Sequence, residues 1–213
     1  MSILTEALER ISSGVHFTKQ GMSLEEVERR LSFFPFRLSD EAYEFYQWAG
    51  APTGDQMPDG WDGSYNDNST YYCFLEQLLE GADDLIHFLS LEEAEKYYSP
   101  RDADIYDQKC LPFVSYENGQ LVIVGSETQI ETSPVLQREG IKDKLWFPSL
   151  TNMMLAIAEA LETVGTILPE LSRNYDDEDY GTDDYDNKIR KNCKIVGEIA
   201  QKYGYPRGII LTN

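Results

Sequence analysis

Apolar positions recur along this chain with two periods, and the switches between them divide it into elements. Over residues 2–13, Ile3, Leu4, Ala7, Leu8 and Ile11 return every three or four positions, the spacing that keeps side chains on one face of a helix; Gly14 is its expected stop. Leu24, Val27 and Leu31 repeat the spacing in a second helix. Ser23, three residues before Glu26, opens it with a capping-box pattern, in which hydroxyl and carboxylate each take up an orphan backbone N–H. Pro35 breaks that helix within Phe33-Phe34-Pro35-Phe36. Ser39 is expected to cap a third helix. Asp40 and Glu41 stand in its first turn, where the helix dipole favours anions, and Ala42, Phe45, Tyr46 and Ala49 face inward. Gly50 is its expected left-handed cap.

Residues 85–89 form an apolar, strand-like run, and Ser90, again three residues before a Glu, opens a helix over 91–98. The richest stretch is 110–162. Leu111, Phe113 and Val114 precede Asn118-Gly119, and an unbroken apolar run over 121–124 follows it. Asn-Gly between two apolar runs predicts a β-hairpin, because a tight turn needs positive φ at its centre and these residues accept it. A strand apolar at every position predicts burial on both faces. Leu145-Trp146-Phe147 comes next, then a helix capped by Ser149 or Thr151. Met153, Met154, Ile157, Ala158, Leu161 and Val164 lie on its one apolar stripe, and Pro169 ends it. Residues 188–203 predict an amphipathic helix with Ile189, Cys193, Val196, Ile199 and Ala200 inward, and 205–211 an edge strand.

Two polar stretches interrupt this pattern. Residues 51–70 are rich in Gly, Pro, Asn and Asp, long for a plain connection and therefore a functional candidate. Trp61 in its middle reads either as a buried anchor for the loop or as an exposed recognition residue. Residues 170–187 are a strongly acidic block, the composition of a solvated segment.

Composition adds charge to the picture. The formal net charge is −20 over 213 residues. Such an anion repels nucleic acid and anionic membranes and favours cationic partners; solubility alone is the plainer explanation of it. The three cysteines, Cys73, Cys110 and Cys193, are scattered and predict a reducing compartment rather than a disulfide framework. The first residues lack the pattern of a secretory signal, and no apolar run is long enough for a membrane span, so the expected location is cytoplasmic.

Candidate chemistry is sparse. His16 and His87 have no partner at metal-ligand spacing, and His87 within a strand reads as a sheet residue. No Cys-x-x-Cys, His-Glu-x-x-His, phosphate loop or nucleophile elbow occurs. Aligned as a calcium loop on Gly181, the acidic block puts Tyr180 and Asn187 where oxygen ligands belong, so no metal site is expected there. Carboxylates abundant enough for hydrolysis are present, but abundance marks no pair.

The order of elements resembles the SUKH superfamily, named partly for the yeast Smi/Knr cell-wall synthesis regulators. The resemblance spans roughly residues 24–165: Leu24-Glu25-Glu26-Val27-Glu28, then Phe36-Arg37-Leu38-Ser39-Asp40-Glu41-Ala42, Phe88-Leu89-Ser90-Leu91, Leu111-Pro112-Phe113 with its Asn118-Gly119 turn, and Leu145-Trp146-Phe147-Pro148-Ser149-Leu150. Ala49-Gly50 stands where the family usually closes a helix with Asn-Gly. The resemblance implies one α+β domain over 1–168, with a central mixed or antiparallel sheet flanked by helices. An acidic loop over 169–187 and a C-terminal helix and tail over 188–213, packed on the domain, would extend it. It also implies a non-enzymatic protein-binding module without catalytic residues, cofactor or metal. Bacterial members are commonly immunity proteins that bind and neutralise polymorphic toxins, often basic nucleases; eukaryotic members are regulatory or scaffold modules. A basic toxin would be steered by the acidic charge. On that reading the expected contact residues are Asp59, Trp61, Asp62 and Tyr65 of the long loop. Asp176, Asp177, Glu178 and Asp179 of the acidic block join them, a solvated linker being the alternative there.

Overall fold

The computed structural model describes residues 1–14, 21–49, 87–98, 109–116, 119–139, 142–164 and 183–206. Its elements, in chain order, are α1 (Ile3–Gly14), α2 (Leu24–Leu31), α3 (Asp40–Ala49), β1 (His87–Phe88), α4 (Leu91–Tyr97), β2 (Cys110–Tyr116), β3 (Gly119–Val124), β4 (Val135–Glu139), β5 (Lys142–Phe147), α5 (Leu150–Val164) and α6 (Asp183–Lys202). The fold is α+β, a single domain built on an antiparallel sheet in the order β1-β2-β3-β4-β5.

The hairpin of β2 and β3 is the centre of that sheet. Every residue of β2 is buried; of the apolar run over 121–124 in β3, Leu121, Val122 and Ile123 are buried and Val124 is half-buried. By strand alternation Leu111 faces one side with its partner Ile123, and Cys110 and Val122 face the other. The turn differs from the sequence expectation by one residue. Tyr116 pairs with Gly119, so Gly119 belongs to β3, and residues 117–118 lie between the paired ends, outside the described residues. Gly119 is required by close approach rather than by positive φ. A Cβ there would overlap the Arg138 carbonyl oxygen and stand 2.6 Å from the Tyr116 hydroxyl.

The helices pack their apolar stripes together with the sheet into one core. Leu4, Ala7, Leu8 and Ile11 of α1, Ala42, Phe45, Tyr46 and Ala49 of α3, and Met153, Met154, Ile157 and Leu161 of α5 are all buried in it. Trp146 and Phe147 close the sheet side at full burial. Tyr205 lies against both, at 6.1 and 5.8 Å between ring centroids, which docks the chain after α6 onto β5. Helix α6 itself buries Val196, Ile199 and Ala200.

Helix ends show where local rules held. Ser90 and Glu93 form the full capping box, with Glu93 N–H on the Ser90 hydroxyl at 3.1 Å and Ser90 N–H on the Glu93 carboxylate at 2.7 Å. Only half of the box forms at Ser23. Its hydroxyl takes the Glu26 N–H, while the Glu26 carboxylate turns to Arg29 and Arg30 at 2.6–2.7 Å, because ionised partners outbid a neutral amide. Ser39 does not cap α3 through its side chain, which is buried without a hydrogen-bond partner. The crossing segment after β3 takes that place: Asp40 N–H and Glu41 N–H donate to the carbonyls of Ile130 and Glu131 at 2.9 and 3.2 Å. Helix α6 begins at Asp183, inside the stretch expected as an acidic loop to 187. Gly50, the strand expected over 205–211 beyond Pro206, and Cys73 lie outside the described residues.

Candidate protein-binding surface

The contact residues expected from the sequence, Asp59, Trp61, Asp62 and Tyr65 with Asp176, Asp177, Glu178 and Asp179, lie outside the described residues. What the structure does position is their scaffold, and that scaffold contains one charged group that sequence reading missed. Glu41, which the sequence places in the first turn of α3, is only 5% exposed. Its carboxylate accepts four hydrogen bonds: Ser133 N–H at 2.8 Å and Leu150 N–H at 3.0 Å on Oε1, Thr151 N–H at 3.0 Å and Thr151 hydroxyl at 2.8 Å on Oε2. Two carboxylate oxygens offer about four acceptor sites, so the group is saturated.

Glu41 thus sits at the N-terminus of α5, where orphan N–H groups and the helix dipole favour an anion. Ser149, one of the two expected caps, completes the end by accepting Asn152 N–H at 3.0 Å. Thr151, the other, serves Glu41 instead. One turn along α3, Glu44 accepts from the Ser2 and Thr5 hydroxyls and from Thr5 N–H at the start of α1. Two carboxylates of α3 therefore hold the N-termini of two other helices. Those helices run side by side in the same direction, and Arg10 of α1 meets Glu162 of α5 at 2.6 Å toward their far ends. Arg10 pulls the Glu162 carboxyl below the usual carboxylate range. Lys202 of α6, at 2.6 Å, and the Tyr203 hydroxyl do the same to Glu159.

Other groups with chemical potential are held quiet by burial. Burial pushes the Cys110 thiol up to about 11, so it stays protonated at neutral pH, and it also raises Cys193. The Tyr46 hydroxyl is fully buried without a hydrogen-bond partner, and burial raises its pKa. Among the described residues no group of three or more His, Cys, Asp or Glu converges as a metal site. Among them, too, no helix is long and apolar enough to cross a membrane.

The described surface carries one feature that composition did not foretell. Phe33 is 53% exposed and packs edge-on against Phe34 and Tyr98, in a cluster of aromatic rings between α2 and α4. The sequence reading of that segment is only that Pro35 breaks the helix. Compared with family models, with curated proteins and with solved structures, the chain matches none.

Proposed function

We propose that this chain is a non-enzymatic protein-binding module, an immunity-type protein that acts in the cytoplasm by binding and neutralising a basic toxin domain. The observation that carries the reading is its net charge of −20, displayed on an α+β scaffold of the architecture that the SUKH resemblance implies. A charge of that size steers a cationic protein into encounter, and suppresses binding to nucleic acid. The long loop with Asp59, Trp61, Asp62 and Tyr65 and the acidic residues Asp176, Asp177, Glu178 and Asp179 supply the aromatic and anionic groups for such a contact. The buried carboxylate of Glu41 fits this reading, since its four acceptor positions serve the start of α5 and the segment before β4 and leave none for a substrate.

The test is a pull-down of the purified chain against the products of the genes beside its own. Stoichiometric capture of a basic product at micromolar concentration supports the proposal. No capture of any neighbouring product at that concentration overturns it, in favour of a regulatory or scaffold module without a toxin.

A further inference from the structure

We draw no further inference here: the strongest candidate, the outer edge of the sheet at β5 with its half-exposed Leu145, carries nothing because nothing in the structure shows what covers it.

Discussion

Thr151 gives both its backbone N–H, at 3.0 Å, and its hydroxyl, at 2.8 Å, to one oxygen of the Glu41 carboxylate. With Leu150 and Ser133 on the other oxygen, this buried carboxyl group joins α3, the start of α5 and the segment before β4. Glu41→Ala would leave three backbone donors, two of them buried, without their acceptor. The expected loss is about 2–4 kcal/mol of unfolding free energy, read as a lower urea midpoint. Glu41→Gln, which keeps one oxygen but turns an N–H₂ group toward donors, should lose an intermediate amount.

The reason Glu41 was not legible in the sequence lies in that geometry. An acidic residue in a first turn ordinarily answers its own helix dipole from the solvent side. Its inward turn depends on two segments about 90 and 110 residues away, Ser133 and Leu150-Thr151, which no local pattern reports. The β2–β3 hairpin was legible for the opposite reason. Its signal, two apolar runs around a turn, is local, and only the register moved, by one residue, with Gly119 entering the strand. The Ser90–Glu93 box was legible because it closes within one turn, whereas the Ser23–Glu26 box was half lost to arginines one turn ahead. Of the candidate surface, the sequence singled out Trp61 and the acidic runs by composition. The run Phe33-Phe34-Pro35-Phe36 gives no local sign of which ring stays outside; Phe34 and Phe36 are buried and Phe33 is left half exposed.

Gly119→Ala should destabilise the hairpin although Ala is the better residue for backbone entropy. The new methyl group meets the Arg138 carbonyl and the Tyr116 hydroxyl, and relief requires β4 to move away from β3. A loss of about 1–3 kcal/mol is expected from such overpacking. Amide exchange at Leu121 and Gln137, paired across β3 and β4, should accelerate with it.

Tyr205 tests whether the chain after α6 belongs to the domain. It is 6% exposed and packs against both Trp146 and Phe147. Tyr205→Ala opens that space and should cost about 2–4 kcal/mol, with a matching drop in thermal midpoint. Tyr205→Phe keeps the ring and should stay close to the parent.

Acid should weaken the chain in a defined window. Folding lowers the Glu26 carboxyl to about 2, chiefly through its hydrogen bonds to Arg29 and Arg30, from an ordinary value of 4.5. A carboxyl lowered by folding stabilises the fold while ionised. Its contribution is complete above 4.5 and is lost as pH falls toward 2. Glu159 and Glu162, lowered by Lys202 and Arg10, act in the same direction below 4.5. Urea midpoints should therefore decline from pH 5 downward, and the double variant Arg29→Ala, Arg30→Ala should flatten the Glu26 part of that slope. These pairs are solvent-exposed, so the decline should be shallow and shrink in high salt.

Growth rescue tests the central claim most directly. The basic product of the adjacent gene is expressed in a bacterial host, alone and together with this chain. The account predicts arrest by the neighbour alone and recovery on co-expression, the two proteins co-purifying at one-to-one stoichiometry in a complex that loosens as salt rises. Arrest that persists at full soluble expression of this chain, with no complex recovered, would contradict it.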